Sequence, residues 1–477
     1  RRCTIRPFAR LMLKLSSDLQ TPLVSQIVDG VRGLISGQIL KPGSKLPSIR
    51  AFAASHSVSV FTVVEAYDRL VAQGWLVSRA NAGFFVKRRS DAPDPCSAPR
   101  PRPRPRFDAD WYLKQIFENR NLPLKPGCGW LPNHWLFGDA VCRSLRQLSI
   151  DGPALDGYGL PQGHMALRMM VAQSLSDQHL MVDADQLMLT QGSSQALDLV
   201  ARQLVKPGDV ILVDDPGYPN MFFMLRFTGA ELIGVPRTPT GYDLTALATL
   251  MARHKPRLFF TQPRLQSPTC STASVAHLHR LLQLAAQHDV VLVENDIYAD
   301  MDADQRPSLA SLDQLERVVY LGSFSKTISP NLRTGFVAAR RDLLEQLVHL
   351  KMISGLTSSE ITERVTLGVV TDGRWRKHLK AVRERLGQAH RDVGHRLQSR
   401  GFELFHEPGA GMYLWARQPD LPDSAALSRE AAAQGIMLGP GQLFMVQPRT
   451  TGWLRFNVAF SLDDRLWSFL DECIQRG

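Results

Sequence analysis

Two hydrophobic periodicities divide this chain. Between residues 22 and 73 apolar positions recur at helical spacing: Leu23, Ile27, Val31, Leu34 and Ile35, then Ile49, Phe52 and Ala53, then Val63, Ala66, Tyr67 and Leu70. The pattern predicts helices over 22–37, 48–55 and 59–73, the first with Thr21 as N-cap and Pro22 in its first turn, the second capped by Ser48. Residues 41–47 (Lys-Pro-Gly-Ser-Lys-Leu-Pro) read as a turn. Trp75-Leu-Val and Phe84-Phe-Val then bracket residues 78–83, which predicts a two-stranded ribbon with an Asn/Gly-containing turn.

From about residue 108 the period changes. Short continuous apolar runs at 187–189, 210–213, 258–260, 290–293 and 318–321 read as buried strands alternating with helices. That is the signature of an α/β fold with a mainly parallel sheet. In open sheets of this kind ligands sit beyond the carboxyl ends of the strands. The rule gathers Ser193, Ser194, Gln195, Tyr218, Asp296, Tyr298 and Lys326 into one crevice. Residues 156–168 form a Gly-rich loop running into a helix, and 190–200 open another helix directly after a strand. Amides and hydroxyls at such a helix start suit a phosphate, although an ordinary cap reads the same way.

Charge sharpens the division. Of a formal net charge of +11, residues 1–106 carry 18 lysines and arginines against 6 acidic residues, and the remainder is nearly neutral. This points to a polyanion-binding N-terminal module on a neutral body. The two are joined by a Pro/Arg-rich stretch that favours extended polyproline II. Six scattered cysteines without paired spacing argue against a disulfide framework or a metal site and for a reducing compartment. Met12-Leu13-Lys14-Leu15 is too short and interrupted for a signal-peptide core. No apolar run reaches the roughly 18 residues a membrane span needs, so a cytoplasmic protein is expected.

The chemistry concentrates at residues 320–335. An apolar strand opens into a small-residue loop with Lys326 between hydroxyls and Arg333 seven residues on. A lysine attacks an aldehyde only when neutral, so it needs a partly desolvated, cation-crowded site. Ser323, Ser325 and Arg333 are groups that hold a phosphate beside such an aldehyde. Taken alone, the stretch also reads as a surface turn. The other strand ends supply what the lysine needs, and together they point to pyridoxal phosphate: a carboxylate beside the ring nitrogen keeps it protonated, so the ring can draw electrons.

Two resemblances extend this reading. The pattern L-V-x-Q-I…G-x-x-x-P-G-x-K-L-P-S-x-R…S-x-x-T-V-x-x-A-Y-x-x-L-x-x-x-G-W resembles the GntR family of bacterial transcription regulators. It implies a winged helix-turn-helix whose third helix enters the major groove. Lys45, Ser48, Arg50, Ser59, Thr62 and Arg79 are then the DNA-contacting residues. Where arginine often follows the serine in that family, this chain has Val60 and Phe61, and Phe61 is assigned to thymine methyls. The body from 110 to 477 resembles the fold-type I aminotransferases. That resemblance implies Lys326 as the Schiff-base lysine, Asp296 at the pyridine nitrogen, Tyr298 near the ring oxygen and Tyr218 stacked on the ring. Ser193, Ser194, Gln195, Ser323, Ser325 and Arg333 hold the phosphate, and Tyr158 reaches the phosphate of a neighbouring subunit. Arg455, in Trp453-Leu-Arg-Phe-Asn, matches the arginine that takes a substrate carboxylate. The family's Asn-Pro-Thr-Gly stands here as Ser267-Pro-Thr-Cys270.

The whole arrangement resembles the MocR/GabR subgroup of GntR regulators, with a winged helix at 19–88, a linker at 89–109 and an aminotransferase-like effector and dimerisation domain at 110–477. It implies a regulator that uses pyridoxal 5'-phosphate, binds a double-stranded operator, senses an amine or amino acid and forms a head-to-tail homodimer. The alternatives are an active aminotransferase with an accessory DNA-binding domain, and a DNA-binding protein whose large domain no longer takes the cofactor.

Overall fold

Helices Leu23–Ser36, Ile49–His56 and Val60–Ala72 and a ribbon of β1 (Leu76–Arg79) and β2 (Gly83–Val86) build the N-terminal part of the chain. The structure, a computed structural model, describes residues 13, 15–16, 21–37, 39–79, 82–87, 123–152, 157–407 and 409–476. The chain divides into two units, Arg1–Arg104 and Pro105–Gly477. The linker expected at 89–109 lies outside the described residues.

In the first unit, Ile27, Val31, Phe52, Val63, Tyr67 and Leu70 share one core with Leu76 and Val86 of the ribbon. The buried Tyr67 hydroxyl donates to the Pro47 carbonyl at 3.2 Å, tying the turn to the third helix. Ser48 accepts from the Ala51 amide and Ser59 from the Thr62 amide, so both serines cap the helices they precede. Thr21 is not a cap. Pro22 occupies the N-cap position of the first helix, its carbonyl accepts from the Gln26 amide at 3.1 Å, and no side chain caps that end. Thr21 therefore stands one residue too far back for its hydroxyl to serve the first-turn amides.

The second unit is organised by eight strands: β3 (Leu187–Thr190), β4 (Val210–Asp215), β5 (Glu231–Thr238), β6 (Gly241–Tyr242), β7 (Leu258–Thr261), β8 (Val291–Asn295), β9 (Val318–Ser323) and β10 (Gly335–Ala338). They lie in the order β3-β10-β9-β8-β7-β4-β5-β6. Strands β5, β4, β7, β8 and β9 are parallel, while β10 runs antiparallel between β9 and β3. The apolar runs are continuous because both faces are covered. Leu212, Phe259 and Leu292 enter one core and Val213, Phe260 and Val293 the other, as alternation along a strand requires. Each such fully buried side chain contributes about 1.5–3 kcal/mol, so the sheet is the rigid frame of the unit.

A four-stranded antiparallel sheet, in the order β11 (Glu403–Leu404), β12 (Tyr413–Arg417), β14 (Trp453–Asn457), β13 (Gly439–Pro440), forms a second lobe. Its core joins Leu414 and Phe456 to Val382 and Leu386 of helix Trp375–Gln398 and to Leu466 and Leu470 of helix Asp464–Arg476. Ile297 and Tyr298, just beyond β8, pack into this same core and bring the two lobes together at the strand ends.

Candidate functional site

Strands β9 and β10 are adjacent and antiparallel, with Ser323 opposite Gly335, so residues 324–334 must leave the sheet and return. That excursion carries Ser325, Lys326 and Arg333. The Lys326 residue is partly buried, and its Nζ donates to the Gly129 carbonyl at 2.5 Å and lies 5.6 Å from the centre of the Tyr298 ring. Burial, followed by the charges of Arg455 and Arg333, pushes its pKa down to about 8. A neutral amine is thus within reach near physiological pH. Ser323 belongs to β9 itself, and its hydroxyl accepts from the Ser325 amide at 3.2 Å.

At the end of β8, Tyr298 is buried and its hydroxyl lies 3.0 Å from that of Tyr413 on β12, the rings meeting edge to face. Burial holds the Tyr298 phenol well above its usual pKa, so it is protonated and able to donate. Asp296 is 2% exposed. Arg264 Nε donates to its Oδ1 at 3.1 Å, Arg264 Nη2 donates to its Oδ2, and the Tyr320 hydroxyl donates to Oδ2 at 2.9 Å.

Helix Ser193–Leu204 begins two residues after Gln191, with Gly192 as its N-cap at φ 78°. A Cβ on Gly192 would collide with the Arg333 guanidinium, and one on Gly335 would come within 2.8 Å of the Gly192 carbonyl carbon and 2.9 Å of the Ser193 nitrogen. Only glycines let the helix start, the arginine and the strand converge this closely. Arg333 donates to the Gln191 carbonyl at 3.1 Å and to Ser325 Oγ at 3.4 Å, and Gln195 Oε1 accepts from the Gln191 amide at 2.7 Å. The helix start thus brings first-turn amides close to the Arg333 guanidinium and the Ser325 hydroxyl, the kinds of donor an anion takes. Ser194 on the same turn is exposed.

Arg455 comes from β14 and is 3% exposed. It donates to the Gly127 carbonyl at 2.6 Å and to Ser267 Oγ at 3.2 Å, and its guanidinium carbon lies 4.5 Å from the Tyr413 ring centre and 4.6 Å from that of Phe444. Tyr218, the N-cap of helix Pro219–Phe227, is partly buried and receives a 3.2 Å hydrogen bond from Asn220. Tyr158 stands apart at 82% exposure. A lysine amine, a protonated phenol, a buried carboxylate, a helix N-terminus beside a guanidinium and a buried arginine thus lie towards one end of the sheet. This donor set fits pyridoxal phosphate.

Arg264, Tyr413 and the carbonyls of Gly127 and Gly129 escaped sequence reasoning. Arg264 directly follows Gln262-Pro263 at the end of β7, so its position at a strand end was a usable signal. The carbonyls carry no side-chain signature at all. Among the described residues no His/Cys/Asp/Glu group could hold a metal ion, the described cysteines are free, and no helix is long and apolar enough to cross a membrane.

On the first unit, Lys45, Ser48, Arg50, Ser59 and Arg79 are exposed and Thr62 is partly so. Lys45 Nζ and the Arg79 guanidinium sit 5.9 and 4.7 Å from the centre of the Phe85 ring, one cluster at the ribbon. Phe61 projects from the first turn of the third helix at 76% exposure. The Ser59 and Thr62 hydroxyls lie 2.7 Å apart, so both are already engaged in the helix cap.

Residues 134–467 match the family model described as aminotransferase class I and II, and residues 23–86 match that of the bacterial regulatory proteins of the gntR family. The chain is 26% identical over 453 residues to the uncharacterized HTH-type transcriptional regulator YdcR of Escherichia coli, covering 92% of this chain and 96% of that one. It is 28% identical over 445 residues to the probable rhizopine catabolism regulatory protein MocR of Rhizobium meliloti, covering 90% and 88%. Among solved structures, the α-aminoadipate aminotransferase LysN of Thermus thermophilus, complexed with N-(5'-phosphopyridoxyl)-L-leucine, superposes with a TM-score of 0.68 at 26% identity, covering 76% of this chain and 92% of that one.

Proposed function

Because the chain belongs to the aminotransferase class I and II family and carries a GntR-family module ahead of it, we propose that it is a DNA-binding transcription regulator whose aminotransferase-like body takes pyridoxal phosphate and an amine or amino-acid effector. The observation that carries this reading is the joining in one chain of a GntR-family match over residues 23–86 to an aminotransferase class I and II match over 134–467, the latter holding the Lys326 amine against the Gly129 carbonyl and the Tyr298 ring. When bound, the cofactor supplies an aldehyde that takes up amines and a ring that draws electrons from them.

This chain's own residues divide the remaining work. Lys326 offers its neutral amine to the aldehyde carbon. Arg333, Ser193, Ser194, Gln195, Ser323, Ser325 and the first-turn amides would hold the phosphate. With the cofactor in place, Tyr298 would donate its phenolic proton towards the ring oxygen, Tyr218 would stack on the ring and Asp296 would pair with the ring nitrogen. Arg455 receives the effector carboxylate in the two-point manner that suits a guanidinium. Tyr158, exposed in one protomer, serves the site of a second copy in a head-to-tail homodimer. Lys45, Ser48, Arg50, Ser59, Thr62 and Arg79 face the operator in the cytoplasm. An effector alters DNA binding only as far as its affinity differs between the two arrangements of the protein.

Borohydride reduction of the cofactor-loaded chain, followed by peptide mass mapping, tests the site. A pyridoxyl tag on Lys326 is expected, and a tag on another lysine, or none, sinks the assignment. Operator selection with the full chain, followed by an amino-acid screen for altered affinity, tests the regulator. Steady transamination with no effect of any amine on DNA binding would favour the aminotransferase instead.

A further inference from the structure

The third helix of the N-terminal unit, Val60–Ala72, buries Val63, Ala66, Tyr67 and Leu70 and turns the opposite face outward. With about 3.6 residues per turn, residues 60, 61, 64, 65 and 68 fall on that outer face. The start of the face is apolar. Phe61 is 76% exposed and Val60 49%, with Val64 partly buried beside them. All three stay outside the core that Ile27, Phe52 and Tyr67 share. The polar groups around them are committed elsewhere. Ser59 Oγ accepts from the Thr62 amide at 3.0 Å and lies 2.7 Å from the Thr62 hydroxyl. Glu65 accepts from Arg69 Nη2 at 2.6 Å, one turn on. Asp68 stands about 10 Å further along the axis than Phe61. Residues 60–68 include no lysine, arginine, asparagine or glutamine.

We propose that Val60, Phe61 and Val64 form the base-reading surface of this helix and recognise the C5-methyl groups of thymines in the major groove of the operator. The inference rests on the winged-helix reading above. Guanine is read by the paired donors of arginine or lysine and adenine by the amide of asparagine or glutamine, and residues 60–68 offer neither. Thymine alone presents an apolar group in that groove, which a phenyl ring or a methyl packs against. The amino group of cytosine takes a carboxylate, but Glu65 is held by Arg69, and Asp68 lies beyond the N-terminal residues of a recognition helix that meet base edges. Charge identifies the occupant as nucleic acid. Residues 1–106 carry 18 lysines and arginines against 6 acidic residues, and residues 23–86 match the gntR family model. Lys45, Arg50 and Arg79 are exposed around this helix's unit and suit phosphates, which supply affinity without sequence information. Selectivity then falls to the apolar patch. Each methyl taken out of water strengthens binding by about 4-fold, so two thymines in a half-site contribute about 15-fold.

Duplexes selected with the full, cofactor-loaded chain provide the probe. Each thymine is replaced in turn by uracil, which deletes the C5-methyl group and keeps the hydrogen-bonding edge, and affinities are compared at one fixed salt concentration. One or two positions in each half-site are expected to lose about 4-fold apiece. Phe61→Ala should weaken binding of the thymine duplex by about 4- to 15-fold. In that variant, uracil at the position facing the helix start should cost nothing further, because both changes remove the same contact. Uracil without effect at every position, or full uracil sensitivity kept in Phe61→Ala, overturns the proposal and leaves DNA binding standing. Unchanged DNA affinity in Phe61→Ala together with an altered oligomeric state assigns the patch to a protein partner, and also overturns it. A chain that selects no duplex at all overturns the regulator reading as well.

Discussion

The Arg455 guanidinium donates to the Gly127 carbonyl oxygen at 2.6 Å, so the residue assigned to a ligand carboxylate is already engaged by backbone. A charged oxygen is the stronger acceptor, and hydrogen bonds to charged groups contribute about 1.5–3 kcal/mol against about 1 for neutral ones. An incoming carboxylate can therefore displace the carbonyl, and Gly127 keeps the guanidinium satisfied until it does.

Arg455→Gln should accordingly weaken binding of the amino-acid effector by about 10- to 150-fold, while leaving a simple amine without a carboxylate nearly unaffected. Titrations of both ligands, followed by cofactor absorbance, measure the difference. Equal losses for both would remove Arg455 from the carboxylate role.

The pH dependence of cofactor capture follows from Lys326. Burial first, then Arg455 and Arg333, lower its pKa to about 8. The rate of pyridoxal phosphate capture should rise with pH through a midpoint near 8, and Arg455→Gln should move that midpoint upward. Stability has the same sign. The unfolded chain keeps this lysine protonated up to its ordinary value of 10.5 while the folded chain releases the proton from about 8. The unfolded state thus binds more protons in that window, and the cofactor-free protein should gain stability as pH rises from about 8 to 10.5. Thermal midpoints for wild type and Lys326→Met across this range read the effect, which the variant should lose in part.

A second buried lysine has a structural task. Lys351 is 0% exposed and donates to the carbonyls of Pro161 at 2.7 Å and Leu189 at 2.8 Å, joining the Gly-rich loop to the end of β3. Lys351→Met removes the lysine donor from both carbonyls, Leu189 keeping only the Ser358 hydroxyl as a side-chain donor at 3.5 Å, and should lower stability by about 1–3 kcal/mol, read by urea unfolding of the full chain followed in the large unit. A loss below about 0.5 kcal/mol would mean the loop finds other donors.

In the first unit, cap and DNA contact can be separated. Ser59→Ala removes the cap on the Thr62 amide and should cost about 1 kcal/mol of stability. Ser59→Asp keeps the cap but places a negative charge against phosphates, so it should fold normally and bind operator poorly. Phe61→Ala, at an exposed position, should change stability by less than about 0.5 kcal/mol while weakening operator binding. Thermal melts and mobility shifts on the three variants distinguish these outcomes.

What this sequence determined by itself was whatever depends on local periodicity and strand order. Helical spacing marked three helices of the N-terminal unit, continuous apolar runs marked strands covered on both faces, and the positions of Tyr218, Asp296, Tyr298 and Lys326 just beyond β4, β8 and β9 were readable from the ends of those runs. Local signals failed where a neighbouring residue took over the function, as when Pro22 displaced Thr21 from the cap. Only the tertiary structure decided the partners across the crevice: Arg264 on Asp296, Tyr413 on Tyr298, and the carbonyls of Gly127 and Gly129 on Arg455 and Lys326. These residues lie far apart in the chain and two of the partners are plain backbone, so their meeting depends on how the lobes pack and leaves no trace in spacing or composition.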